Sequence, residues 1–312
     1  MFEPEPGSRL TFARGCHKKR CVLFWRIGDL PIDIISTVEG MQHRSQMLRR
    51  DGRTLAFVPT MGFLHEGHLA LMREGRRLAD VLVASIFVNP TQFAPGEDFE
   101  TYPRDMEKDC RLAETVPVDI LFTPDNRAIY ADGCQTFVTP QALANRMCGL
   151  SRPIFFRGVA TVVTKLFHIV NPHMALFGEK DFQQLTIIRR MVKDFNFAVK
   201  IIGVPTVRES DGIAMSSRNA YLKPEQRPAA LSLNRSLRAA QAQVAAGETH
   251  AAKILSSAKA MIRAYPEAVI DYIVIVDAET LEDVIEIDRP VRMAMAVTVG
   301  TTRLIDNMPL AP

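Results

Sequence analysis

The run Val81-Leu82-Val83-Ala84-Ser85-Ile86-Phe87-Val88 contains no charged residue and is apolar at odd and even positions alike. Successive side chains of a strand point to opposite faces, so such a run belongs in a sheet covered on both sides. Shorter apolar runs of strand length occur at 54–58, 119–122, 175–177 and 199–204. Between them lie segments of helical period at 67–79, 104–114, 159–170 and 182–195, the last with Leu185, Ile188, Val192 and Phe195 spaced three to four apart. This alternation predicts βαβα order and an α/β fold built on a doubly wound parallel sheet.

The folded body is predicted to begin near Asp33. A helix opens at Ser36-Thr37-Val38-Glu39, a capping-box spacing, presents Val38, Met41, Ser45 and Leu48 on one face, and stops at Asp51-Gly52. Residues 1–31 are rich in Pro, Gly and basic residues, lack a sustained period, and are expected to form a poorly ordered N-terminal extension. After Arg208 the pattern changes to a polar loop, Ala-rich helical segments at 224–246 and 251–264, and strand-like segments at 272–276 and 292–299. The expected division is therefore a sheet domain over 32–206 and a smaller α+β domain over 207–312.

Charge and cysteine usage narrow the partners. The 312 residues carry 38 Lys+Arg against 35 Asp+Glu, a formal net charge of +3, with no long basic run. That balance offers little to nucleic acid or to a membrane surface. No apolar run approaches the ~18 residues needed to cross a bilayer. Cys16, Cys21, Cys110, Cys134 and Cys148 are odd in number and poorly spaced for a disulfide framework or a zinc ribbon, which predicts an unexported, cytoplasmic protein with a small-molecule ligand.

The candidate chemistry sits where strands end. The first long strand runs into Pro59-Thr60-Met61-Gly62-Phe63-Leu64-His65-Glu66-Gly67-His68 and then a helix, the carboxyl edge at which open α/β sheets bind ligands. Two glycines permit close backbone approach, and a helix N-terminus offers N–H groups, so a phosphate is the expected ligand. Taken alone, His65 would cap or pack and His68 would merely begin a helix. The H-E-G-H spacing lacks the i, i+4 separation of a zinc-binding helix. The next strand ends in Asn89-Pro90-Thr91-Gln92-Phe93, where Gln92 either orients a hydroxylated substrate or is an ordinary loop residue. Gly178-Glu179-Lys180-Asp181 opens a further helix, with Lys180 a point charge for phosphate and Asp181 a natural cap. In Met215-Ser216-Ser217-Arg218-Asn219, hydroxyls and a guanidinium suit a developing pyrophosphate, the alternative being a solvated turn.

In order along the chain, PTMGFLHEGH, SIFVNPTQF, FGEKDFQQL, VPTVRESDGIAMSSRN and TRLIDNM resemble the pantoate–β-alanine ligases (pantothenate synthetases), of the H-x-G-H nucleotidylyltransferase superfamily, from about Ile34 to Leu310. The resemblance implies a Rossmann-like N-domain with a small C-terminal lid, usually as a homodimer. It implies ATP-dependent condensation of pantoate with β-alanine through a pantoyl-adenylate, with Mg2+, releasing pyrophosphate and AMP. Met61, Gly62, Phe63, Leu64, His65, Glu66, Gly67 and His68 would form the first ATP segment, with His68 stabilising the transition state or donating a proton. Gly178, Glu179, Lys180 and Asp181, with Met215, Ser216, Ser217 and Arg218, would complete the phosphate cage. Val207 would contact adenine through its backbone. Gln92 and Gln184 would bind pantoate, Gln92 also lying near β-alanine, and Asn89 and Arg152 would support them. No protein ligand for Mg2+ is implied.

One departure is Phe155 in Arg152-Pro153-Ile154-Phe155-Phe156-Arg157-Gly158-Val159, where the family commonly has histidine. A nucleotide sensor without turnover, and nucleotidyl transfer to another acceptor, are the rival readings.

Overall fold

The computed structural model describes residues 32–312, so the N-terminal extension expected over 1–31 lies outside the described residues. Strands β1 (Asp33–Ile35), β2 (Leu55–Thr60), β3 (Val81–Ile86), β4 (Ile120–Phe122), β5 (Met174–Gly178) and β6 (Lys200–Val204) form one parallel sheet in the order β1-β4-β3-β2-β5-β6. The intervening helices are α1 (Val38–Arg50), α2 (Glu66–Leu78), α3 (Met106–Glu114), the single turns α4 (Asn126–Ile129) and α5 (Cys148–Ser151), α6 (Phe155–Val170) and α7 (Phe182–Asp194).

The two-faced apolar runs do what their period requires. Leu55, Phe57, Val81 and Val83 pack against Met41 of α1, Val163 and Leu166 of α6 and Ile188 of α7. Their neighbours Ala56, Val58, Leu82 and Ala84 pack on the other face against Leu69 and Met72 of α2 and Ala113 of α3. At Gly75 the α2 backbone comes so near the sheet that an added Cβ would sit 2.8 Å from Leu82 Cδ1. Strand order reverses between β2 and β5, and the crevice at such a switch point is where ligands bind. The loops leaving β2 and β5 flank it.

Two local expectations shift. The α1 cap is Thr37 rather than Ser36, its Oγ1 accepting from the Gly40 N–H at 3.2 Å, because Ile35 still belongs to β1 and the chain turns one residue later. β1 itself is a three-residue edge strand, too short to announce itself as an apolar run.

Beyond β6 come α8 (Arg227–Ala245), α9 (Ala251–Arg263) and an antiparallel sheet of β7 (Ala268–Asp277), β8 (Val291–Val299) and β9 (Thr302–Leu310). Leu237 of α8 and Ile254 and Ile262 of α9 cover Ile275, Met293, Met295 and Val297 of that sheet. β9 is an added strand, absent from the sequence-based expectation. The sheet docks on the start of α7, where Val276, Leu281 and Ala294 enclose Phe182 and Met147. Among the described residues no helix is long and apolar enough to cross a membrane.

Phe57 is fully buried in the central strand, whereas Ile285 is 82% exposed. Phe57→Ala is expected to lower unfolding free energy by ~3–5 kcal/mol, and Ile285→Ala to change it by less than ~0.5 kcal/mol, as read by urea denaturation. Equal losses would contradict this placement of the core.

Candidate active site

The loop after β2 is shaped by its own backbone. Thr60 Oγ1 donates to the Ser85 carbonyl at 2.7 Å and accepts from the Gly62 N–H at 3.1 Å. Gly62 has φ +82°, and a Cβ there would meet Asp109 Oδ2 at 2.9 Å, so glycine is required both by conformation and by space. The buried Asp109 carboxylate, from α3, accepts the Phe63 N–H at 2.8 Å and the Leu64 N–H at 2.6 Å. Burial raises its pKa, and the two N–H donors oppose that rise.

The turn into α2 is closed by the histidines themselves. His65 is the N-cap, its Nδ1 accepting from the Gly67 N–H at 3.1 Å, and His68 Nδ1 accepts in return from the His65 N–H at 3.3 Å. The ring centroids lie 4.1 Å apart. An imidazole that accepts at Nδ1 carries its proton on Nε2, so each ring presents a neutral Nε2–H donor. Burial, followed by the Lys180 charge, lowers the His65 pKa to about 4, with Asp181 and Glu209 opposing. Burial, His65 and Lys180 hold His68 well below the usual imidazole value.

These residues line one cavity of about 950 Å³, a size suited to a small-molecule ligand. Met61, His65, Gly67 and His68 reach it from the β2 loop, Gly178, Lys180, Asp181 and Gln184 from the β5 side, and Val207, Met215, Ser216, Ser217 and Arg218 from the loop after β6. Asn89, Gln92 and Arg152 form a further wall.

Several expected groups are already committed. Glu66 faces away and pairs with Arg73, and the N–H groups of Phe63 and Leu64 serve Asp109, so the loop offers the cavity imidazole donors rather than these main-chain amides. Glu179 also lies outside the cavity wall, its carboxylate 3.5 Å from Arg292. Asp181 makes no side-chain cap to α7, because a 3-10 turn over Glu179–Asp181 runs directly into the helix, and its carboxylate lies on the cavity wall. The Val207 carbonyl accepts from the Met215 N–H at 2.9 Å.

Asn89 is buried. Its Nδ2 donates to Gln92 Oε1 and the Gly158 carbonyl, each at 3.1 Å, and its Oδ1 accepts from the Tyr130 hydroxyl at 2.9 Å. Both of its donors are spent, so it orients Gln92 rather than contacting a ligand. Arg152 grips Glu97 through two bonds of 2.6 Å, donates to the Gln92 carbonyl at 3.2 Å, and stacks 4.0 Å from the Phe155 ring centroid. Phe155 thus supplies an aromatic face to the guanidinium. Arg218 is held likewise by Asp98, two bonds of 3.0 Å, while the Ser217 hydroxyl lies 3.2 Å from that of Tyr102.

A protein-family model described as pantoate-beta-alanine ligase matches residues 33–309. The chain belongs to the pantoate–β-alanine ligase family. The pantothenate synthetase of Desulfatibacillum aliphaticivorans is 58% identical over 281 residues, covering 90% of this chain and 100% of that protein. The crystal structure of pantothenate synthetase from Thermus thermophilus is 44% identical with a TM-score of 0.86, covering 90% of this chain and 100% of that one. That of the Francisella tularensis pantoate-beta-alanine ligase, complexed with beta-gamma ATP and beta-alanine, is 32% identical with a TM-score of 0.73, covering 89% and 97%.

Within this ligase-family site, Glu97, Asp98, Tyr102 and Asp109 went unread in the sequence. Glu97, Asp98 and Tyr102 fall in the irregular stretch between β3 and α3, where no period marks which residues turn inward, and Asp109 lies on α3, whose helical period does not reveal that its carboxylate serves a loop 45 residues away. The partial signal was position: Glu97 and Asp98 follow Gln92 closely at the same sheet edge.

The two histidines also set a pH dependence. Between pH 6.5, the ordinary imidazole value, and about 4, the unfolded chain binds protons that folded His65 refuses. Stability therefore rises with pH through that window and falls on acidification. Urea midpoints measured from pH 4 to 7 should show a smaller slope in His65→Gln than in the parent. Parallel slopes would show that folded His65 titrates normally.

Proposed function

We propose that this chain joins pantoate to β-alanine at the expense of ATP, through a pantoyl-adenylate, with pyrophosphate and AMP as co-products. The observation that carries this reading is the meeting, around one cavity, of two imidazole donors, Lys180 and the Ser216 and Ser217 hydroxyls with the amides Gln92 and Gln184. The Francisella relative, described as complexed with beta-gamma ATP and beta-alanine, supports both as ligands here.

In the first step a pantoate carboxylate oxygen attacks the α-phosphorus and the P–O bond to pyrophosphate breaks. Charge spreads over the phosphorane and the leaving group, so fixed donors aimed at those oxygens lower the barrier. The Nε2–H groups of His65 and His68 and the Lys180 ammonium fill that role. With its pKa driven down by burial, His68 acts as a neutral hydrogen-bond donor rather than as an acid that surrenders a proton. In the second step the β-alanine nitrogen attacks the acyl carbon, the C–O bond to AMP breaks, and the amine gives up a proton. Gln92, held by Asn89 and by Arg152, is oriented for the pantoate oxygens.

Mg2+, when bound, would neutralise part of the triphosphate charge. Among the described residues no group of three His, Cys, Asp or Glu side chains could hold a metal, and Asp181 is a carboxylate on the cavity wall. That donor set fits an ion that arrives on the nucleotide, with Asp181 holding it or one of its waters. Free thiols at Cys110, Cys134 and Cys148 suit the cytoplasm, and the family resemblance supports a homodimer.

Supplied with pantoate, β-alanine and ATP-Mg2+ together, the protein should form one AMP per pantothenate, and omission of any one substrate should abolish the product. Release of ADP, or AMP formation without pantoate, would contradict the reading. ATP binding with no product at all would favour a sensor.

A further inference from the structure

Consecutive residues of β9 reach the two phosphate-facing loops, one each. Asp306 accepts Arg208 Nη1 at 2.7 Å and Nη2 at 2.9 Å, and Arg208 also donates to the Gly212 carbonyl at 3.1 Å, which fixes the loop leading to Ser216. Asn307 takes the other loop. Its Nδ2 donates to the Glu179 carbonyl and to the Lys180 carbonyl, both at 2.9 Å, while its Oδ1 accepts from Arg292 Nη1 at 3.2 Å.

That geometry constrains Lys180 closely. The carbonyls of Glu179 and Lys180 stand on either side of the Lys180 Cα, so gripping both fixes the point from which the side chain leaves. Parallel pairing of β5 with β6 ends at Gly178 and Val204, and the following 3-10 turn has no strand partner of its own. Asn307 is only 4% exposed, with both amide donors and its carbonyl oxygen engaged. A flipped amide would set Oδ1 against two carbonyls, so the orientation has one solution. A lysine stem has four rotatable carbons and locates its charge only as well as its backbone is held.

We propose that Asn307 is a positioning residue for Lys180: the small antiparallel sheet, through this one amide, sets where the ammonium meets the nucleotide phosphates. The inference rests on the ATP-binding reading of the cavity, though not on pantoate as the acceptor. Asn307→Asp keeps the shape, removes the two donors and opposes the carbonyls with negative charge.

The test is a double-mutant cycle on ATP-Mg2+ affinity, by isothermal titration, with Asn307→Asp, Lys180→Ala and the pair. Asn307→Asp should weaken ATP about tenfold, the scale of two lost hydrogen bonds. The pair should bind within about twofold of Lys180→Ala alone, because the amide acts through the ammonium. Additive losses would assign Asn307 a merely structural role, and unchanged affinity in Asn307→Asp would remove it altogether. If that variant does not fold, Asn307→Ser, whose hydroxyl cannot span both carbonyls, carries the same cycle. Parent protein that binds ATP but makes no product from pantoate and β-alanine would sink the ligase reading while leaving this cycle decisive. Parent protein that binds no ATP would overturn both.

Discussion

The reciprocal cap between His65 and His68 organises the site. By accepting main-chain N–H groups at Nδ1, the two rings satisfy the helix start and commit their remaining protons to Nε2. One arrangement thereby ends a loop, begins a helix and aims two uncharged donors into the cavity. The structural role and the chemical role of this pair are the same hydrogen bonds seen from opposite ends of the ring. Burial and Lys180 keep both rings neutral, so the cavity's positive charge near them rests on the lysine.

Around that centre, acidic residues manage the other cations. Glu97 and Asp98, adjacent in sequence, each bind one arginine from a different part of the fold, Arg152 from the turn before α6 and Arg218 from the loop after β6. Pairing lets two guanidinium groups sit partly buried beside the cavity at modest electrostatic cost. It also draws the stretch between β3 and α3 over the wall formed by Asn89, Gln92 and Arg152. The small antiparallel sheet completes the frame from the far side, through Arg208 and through the turn that bears Lys180.

Much of this is legible in the sequence. The doubly wound sheet follows from runs such as Val81 to Ile86, whose two-sided burial leaves few other solutions, and the strand-end motifs could be placed on one sheet edge from order alone. What local pattern could not supply was contact at long sequence range. Asp109 lies 45 residues from the Leu64 amide that it accepts, and nothing periodic links them. Asn307 belongs to a motif whose resemblance was plain, yet its task emerges only when β9 is laid against the turn after β5. The shifts at Thr37 and Asp181 share a cause, since one residue more or less of an adjoining strand or 3-10 turn decides which side chain meets the first free N–H groups.

On the proposed mechanism, neutral imidazole donors and one ammonium surround the triphosphate while a small acid attacks its α-phosphorus. Exchange of labelled pyrophosphate into ATP reports that half-reaction alone. Exchange should require pantoate but not β-alanine, and should slow by roughly 10²–10³ in His68→Ala, the loss of one fixed donor. Exchange that proceeds without pantoate, or at an undiminished rate in His68→Ala, would contradict it.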